Sequence, residues 1–172
     1  MNKIEKYDPP KSFKGTLRNY QVEGMSWLYF LYKHELGACL ADDMGLGKTV
    51  QAISFISLVK DENKSSKHLI ISPTTILYNW IEEIKTFNPN LNTNLFIGKG
   101  RSLDLENNDI ILTSYDTLKI DINKFSKINF ETIIFDEAQM AKNRTSDRTN
   151  AIKSLSSKFR LSLTGTPLEN HL

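Results

Sequence analysis

Several things are scarce in this sequence, and each absence excludes something. There is one cysteine, Cys39, in 172 residues. A disulfide framework within the chain is therefore excluded, and the usage fits a reducing compartment. Cys39 sits in the apolar run Ala38-Cys39-Leu40 and reads as a small core residue. No apolar run approaches the length needed to span a membrane, so no membrane partner is expected. The N-terminus is polar and charged, unlike a signal peptide. The formal net charge is only +2, so any nucleic-acid contact must come from a local patch. Repeats and low-complexity tracts are missing. The Lys-, Asn- and Ile-rich usage hints at an AT-rich bacterial genome.

What remains is an ordinary globular composition, 40% hydrophobic and 24% charged, long enough for one domain with a real core. Met1 to Lys14 carries Pro9-Pro10 and no periodicity, and reads as an extended N-terminal arm, residues 1–14. Residues 15–172 form the domain. Leu17 to Leu36 looks helical: Val22, Met25, Tyr29 and Tyr32 fall near one face, and Gly37 suits a stop. Gly24 weakens that helix slightly. Strands are expected at Ala38–Leu40, His68–Ile71, Thr93–Ile97, Asp109–Thr113, Thr132–Phe135 and Phe159–Leu163. Helices are expected over Val50–Val59, from Thr74 or Thr75 as cap through Leu77, Trp80, Ile81 and Ile84, after Ser114, and over Ser146–Ser156 with Ser146 as cap. Strands that are apolar throughout, alternating with helices, imply an α/β fold: a mainly parallel sheet with helices on both faces. Ligands bind such sheets beyond the carboxyl ends of the strands. Five polar turns fall there: the stretch after Leu40, Ser72-Pro73-Thr74, Thr113-Ser114, Asp136-Glu137 and Thr164-Gly165-Thr166.

The richest of these is Ala41-Asp42-Asp43-Met44-Gly45-Leu46-Gly47-Lys48-Thr49, between a strand and a helix. A helix start has N–H groups without partners and a partial positive charge, which phosphate oxygens satisfy. Gly45 and Gly47 let the backbone curl closely around phosphates. Lys48 reaches the outer phosphates, and the Thr49 hydroxyl can ligate Mg²⁺. The general P-loop pattern has glycine where this chain has Asp42. At the end of a later strand, Asp136 can hold Mg²⁺ and Glu137 can orient or deprotonate the attacking water. Trp80 reads as a core residue. Lys85, Lys99 and Arg101 read equally as a solvated face or as phosphate contacts.

Asp136-Glu137-Ala138-Gln139 resembles the DEAD/DEAH-type box of superfamily-two helicases, with Gln139 in place of histidine. Leu17-Arg18-Asn19-Tyr20-Gln21 with Gly24 and Trp27-Leu28 resembles the opening motif of the SWI/SNF-type ATPases. The stretch Ala41 to Thr49 is similar to theirs too, including the acid at Asp42, as is Ser162-Leu163-Thr164-Gly165-Thr166-Pro167-Leu168-Glu169-Asn170. Ile70-Ile71-Ser72-Pro73 with Trp80, and Leu112 to Asp116, resemble the two intervening motifs.

The resemblance implies a three-layer RecA-like P-loop lobe, the first of two, from an ATP-dependent double-stranded-DNA translocase using ATP and Mg²⁺. By matching position it implies Gln21 at adenine. It places Asp43, Met44, Gly45, Leu46, Gly47, Lys48, Thr49 and Val50 around the nucleotide, and Thr49 and Asp136 at the metal. Lys48, Asp136 and Glu137 would be catalytic. Gln139, Thr164 and Thr166 would couple the nucleotide to DNA. The turns carrying Ser72, Thr74, Thr113 and Ser114 would face the DNA backbone. The chain ends at Leu172, just after Asn170, so the second lobe and its phosphate-stabilising arginine are expected outside it. A cytoplasmic, nucleoid-associated location follows, or a nuclear one in a eukaryote. The rivals are an RNA helicase lobe, a non-catalytic DNA-binding scaffold, and a self-sufficient P-loop NTPase using Arg144, Arg148 or Arg160.

Overall fold

Strands rich in isoleucine, leucine and phenylalanine pair in parallel when both of their faces can be covered. The computed structural model describes residues 3–41, 47–139 and 146–165, and shows that arrangement. In chain order the elements are α1 (Asn19–Lys33), β1 (Ala38–Leu40), α2 (Lys48–Glu62), β2 (His68–Ile71), α3 (Thr74–Phe87), β3 (Thr93–Phe96), β4 (Ile110–Thr113), α4 (Tyr115–Ile120), α5 (Ile122–Phe125), β5 (Asn129–Phe135), α6 (Ser146–Ser154) and β6 (Ser156–Leu163). Among the described residues the six strands order as β1-β6-β5-β2-β4-β3. Every neighbouring pair is parallel. Five turns expected at one edge therefore do leave from the same end of the sheet.

Alternation along each strand sends successive side chains to opposite faces. Ile70, Ile134 and Leu161 join Met25 and Leu28 of α1, Ile53 and Phe55 of α2, and Leu77 and Trp80 of α3 in one core. Leu69, Ile71, Ile133 and Phe135 join Tyr115 and Leu118 of α4, Phe125 of α5 and Leu155 after α6 in the other. The result is the expected three layers. Each fully buried Ile, Leu or Phe side chain contributes about 1.5–3 kcal/mol. Among the described residues, no helix is long and apolar enough to cross a membrane.

On the first face α2 lies between α1 and α3, so it is buried nearly all round. Its hydroxyls cope by bonding backwards: Ser54 donates to the Gln51 carbonyl (2.7 Å) and Ser57 to that of Ile53 (2.8 Å). Gly24 has a packing reason. A Cβ there would lie 2.1 Å from Oε1 of Gln51, itself 2% exposed. The glycine lets α1 close on α2, which carries Gln21 to the start of α2.

Several local expectations need correcting. α1 stops at Lys33, not Leu36, with His34 as its C-cap. Glu35, not Gly37, takes the left-handed conformation (φ 56°). The N-cap of α3 is Pro73, so Thr74 and Thr75 occupy its first helical positions. Cys39 is exposed, because β1 is an edge strand and turns Leu40, not Cys39, into the core. β5 and β6 begin three residues earlier than the apolar runs suggest, at Asn129 and Ser156. Ser146 opens α6; what caps it falls outside the described residues. Residues 3–14 lack helix and strand, and they pack on the domain: Phe13 stacks on Phe87 (5.6 Å), and the Tyr7 amide donates to Ser26 Oγ (2.9 Å).

His68, at the start of β2, is wholly buried. Its ring nitrogens contact Ser66 Oγ (2.9 Å) and Thr132 Oγ1 (2.6 Å). Burial, reinforced by the Lys60 charge, pushes its pKa down to about 3, against a small opposing pull from Asp109. The unfolded chain takes up a proton near pH 6.5, while the native state does not until far lower. Stability from this group is thus complete above pH 6.5 and is lost as pH falls toward 3, at about 1.4 kcal/mol per pH unit. Denaturant unfolding should show wild type losing about 2 kcal/mol more than His68→Gln between pH 6.5 and 5. Equal losses in the two proteins would remove His68 as the cause.

Candidate nucleotide site

The start of α2 is built for an anion. Gly47 is its N-cap in the left-handed conformation (φ 77°), no side chain caps it, and its first turn holds no acidic residue. The early amides of Lys48, Thr49 and Val50 therefore face outward with the helix dipole behind them. A Cβ on Gly47 would lie 2.5 Å from Nε2 of Gln21. The Gln21 amide thus rests on the loop exit, held there because its Oε1 accepts from the Arg18 amide (2.8 Å). Asp42, Asp43, Met44, Gly45 and Leu46 lie outside the described residues, as do Arg144 and Thr166.

Beyond β5, the Asp136 amide still donates to the Ile71 carbonyl (2.8 Å), extending the sheet by one rung. Its carboxylate is heavily held. Oδ2 accepts from Trp80 Nε1 (2.7 Å) and Ser72 Oγ (3.2 Å), and Oδ1 from the Glu137 amide (2.9 Å). A carboxylate has about four lone-pair sites, so one remains on Oδ1 among the described residues. Burial raises the Asp136 pKa, and the Glu137 charge adds to that, against the lowering by the three donors. Glu137 follows at φ 49°, an unusual conformation for a non-glycine residue of the sort that collects at functional sites.

A run of hydrogen bonds joins the acid to the lysine. Gln139 Nε2 donates to Glu137 Oε2 (2.6 Å), Thr164 Oγ1 donates to Gln139 Oε1 (3.1 Å), and Lys48 Nζ donates to the Thr164 carbonyl (2.6 Å). Glutamine suits the middle of this run, since it gives to a carboxylate and accepts from a hydroxyl at once. The structure thus brings together Lys48, Glu137, Gln139 and Thr164 from three sequence regions.

Pattern reading gave neither the contacts of Trp80 and Ser72 with Asp136 nor any sign of Glu83. Trp80 is core, at 1% exposure, yet its indole N–H reaches Asp136. Ser72 is buried against the same carboxylate. Glu83, one turn beyond Trp80 on α3, is half-buried. Burial, then the Asp136 charge, raise its pKa. The signal was available: Glu83 sits at i+3 from Trp80, beside Ile84 on the inward stripe.

The expected DNA-facing side chains divide. Thr74 is exposed. The side chains of Ser72, Thr113 and Ser114 are buried within their turns. Thr113 donates to the Phe96 carbonyl (2.8 Å), and Ser114 caps α4 by accepting from the Thr117 amide (3.1 Å). Arg101 pairs with Asp121 (2.6 Å), while Lys85 stays exposed beside Glu82. Arg148 pairs with Asp116 (2.6 Å), and Arg160 donates to the Ile152 and Leu155 carbonyls. The two described candidates for a self-supplied catalytic arginine are therefore occupied elsewhere.

Among the described residues no group of three or more His, Cys, Asp or Glu side chains could cage a metal. The Thr49 hydroxyl and the remaining Asp136 lone pair are oxygen donors, the kind that a hard cation such as Mg²⁺ takes alongside water and phosphate.

Comparison with known proteins places this arrangement in context. A family model of the SNF2-related domain matches residues 20–172. YwqA of Bacillus subtilis, provisionally named an ATP-dependent helicase/translocase, is 45% identical over 94% of this chain and 18% of its own length. The ATP-dependent helicase FUN30 of Saccharomyces cerevisiae is 38% identical over 91% of the chain and 15% of its own. The Sulfolobus solfataricus SWI2/SNF2 ATPase core, solved in complex with double-stranded DNA, superposes with a TM-score of 0.90 at 42% identity, covering 97% of this chain and 35% of that one. The chain thus spans under a fifth of these two curated relatives and about a third of the solved core.

Proposed function

Because this chain belongs to the SNF2-related domain family, we propose that it forms the ATP-binding lobe of an ATP-driven double-stranded-DNA translocase. The observation that carries the reading is the continuous contact from Lys48 through Thr164 and Gln139 to Glu137, across the carboxyl ends of β6 and β5 beside the start of α2. In this reading the α2 amides, Gly47 and Lys48 grip the phosphates together with residues 43–46, and Gln21 faces the adenine. Thr49 and Asp136 hold Mg²⁺, which when bound neutralises charge on the transferring phosphoryl group. Glu137 orients the attacking water and takes its proton. Gln139, Thr164 and Thr166 carry the nucleotide state toward DNA, and the exposed Thr74 lies at a turn that meets the duplex. A second RecA-like lobe supplies the opposing arginine. Duplex DNA as substrate puts the protein with the nucleoid, or in a nucleus.

Steady-state ATP hydrolysis tests this. The full-length gene product should turn over ATP at least about ten times faster with duplex DNA than with duplex RNA or neither. The 172-residue chain alone should be nearly inactive, since an opposing arginine is worth about 10³ or more in rate. Stimulation by RNA instead, or brisk turnover by the chain alone, would replace the proposal.

A further inference from the structure

Tryptophan is a costly choice for a core position unless its N–H finds a partner, since a buried donor without one loses its bond to water. Trp80 is 1% exposed and packs within the first core, so its indole is held by the fold and not by solvent. Its N–H goes to Asp136 Oδ2 at 2.7 Å, across 56 positions of sequence. Ser72 Oγ donates to the same oxygen at 3.2 Å, and the Glu137 amide donates to Oδ1 at 2.9 Å. The donors differ in kind. A hydroxyl can swing to another acceptor, whereas an indole nitrogen is a donor only and moves only with its whole ring. Trp80 is therefore the fixed point of the set. It ties Oδ2 toward the core, and among the described residues one lone-pair site of the carboxylate is left, on Oδ1.

Building on the nucleotide-site reading above, we infer that Trp80 is the positioning residue that orients the Asp136 carboxylate so that a single oxygen, Oδ1, serves Mg²⁺. The terminal torsion of an aspartate is broad by nature, so one orientation has to be imposed from outside. The indole imposes it, because α3 and the core fix the ring. Without the N–H, the carboxylate keeps Ser72 and the Glu137 amide but is free to turn, and its two oxygens then compete for the ion. Mg²⁺ demands near-ideal octahedral geometry, so it is sensitive to that loss. Outer groups that fix a ligand's orientation are typically worth about 10- to 100-fold in metal affinity.

Simple core filling by Trp80 predicts something different: a lower melting temperature on substitution and no change specific to the metal. Two measurements on this chain separate the roles. The first is binding of a fluorescent ATP analogue, titrated with Mg²⁺ and repeated in EDTA. Trp80→Phe keeps an aromatic ring in the core and removes the N–H. It should raise the Mg²⁺ concentration for half-maximal tightening by about 10-fold or more, with metal-free affinity unchanged. Ser72→Ala removes the longer bond and should shift it less. Tyr78→Ala, on the exposed side of the same helix, should match wild type. The second is the indole N–H resonance of Trp80 in isotope-labelled wild type, one of two such signals because the chain has two tryptophans. With ATP bound, it should move between EDTA and Mg²⁺ as the ion draws charge from the carboxylate. The inference is overturned if folded Trp80→Phe responds to Mg²⁺ like wild type, if it loses affinity equally in EDTA, or if Tyr78→Ala shifts as far. Should Trp80→Phe fail to fold, the resonance decides: a signal identical in EDTA and Mg²⁺ overturns the idea. Undiminished ATP binding by Lys48→Ala would instead strike the site reading itself, and this inference with it.

Discussion

Lys48→Ala removes nucleotide binding while leaving the fold in place. Lys48 is the first residue of α2, at the cationic end of the dipole, and its ammonium is held by the Thr164 carbonyl at 2.6 Å. An ammonium has three donors, so it can keep that carbonyl and still reach a phosphate oxygen. A hydrogen bond to a charged partner is worth about 1.5–3 kcal/mol, and the lysine also offsets the phosphates' mutual repulsion. The expected loss in affinity is therefore of order 100-fold, which puts binding by this chain below detection. Titration of a fluorescent ATP analogue reads it directly, with a melting curve to show that the variant is folded. Affinity within threefold of wild type would mean that the phosphates lie elsewhere.

Glu137→Gln in the full-length protein gives the opposite pattern, with binding kept and turnover lost. The substitution keeps shape, and a glutamine oxygen at this position still accepts from Gln139 Nε2, so the run to Thr164 and Lys48 survives. What disappears is the proton acceptor. General-base catalysis contributes about 10²–10⁴-fold, so hydrolysis should fall by that factor with nucleotide affinity within about twofold. Asp136 is a different acid. It is half-buried, takes three donors, and is pinned to α3 through Trp80, which suits a fixed ligand and not a base that must move a proton. If Glu137→Gln and Lys48→Ala lost binding equally, the division of roles between them would be wrong.

Much of the fold was legible because it follows from short-range patterns. Continuous apolar strands at His68–Ile71 and Ile110–Thr113 demanded cover on both faces, and both are fully buried. The glycine–lysine–threonine start of α2 and the acidic pair after β5 also lie where the chain's alternation put them. Less legible were features that depend on a distant neighbour. Gly24 looked like a small flaw in α1 until Gln51 was seen filling the space a side chain would need. Cys39 looked buried because its neighbours are apolar, but an edge strand has a partner on one side only. Ser72 and Thr113 stand in turns expected to face DNA, and the sequence did not show where their hydroxyls go. They are buried, because the last residues of a parallel sheet bond inward before the chain leaves.

By itself, the order of residues determined the layers, the parallel sheet and the turns that carry the chemistry, since periodicity and helix-start geometry act over a few positions. Only the tertiary structure decided which of those turns become neighbours. The strand order β1-β6-β5-β2-β4-β3 puts Thr164 next to Lys48, and the packing of α3 over the site gives Asp136 an indole donor. Those contacts join residues 56 and 116 positions apart, and no local propensity reaches so far; they exist because two apolar faces must both be covered at once.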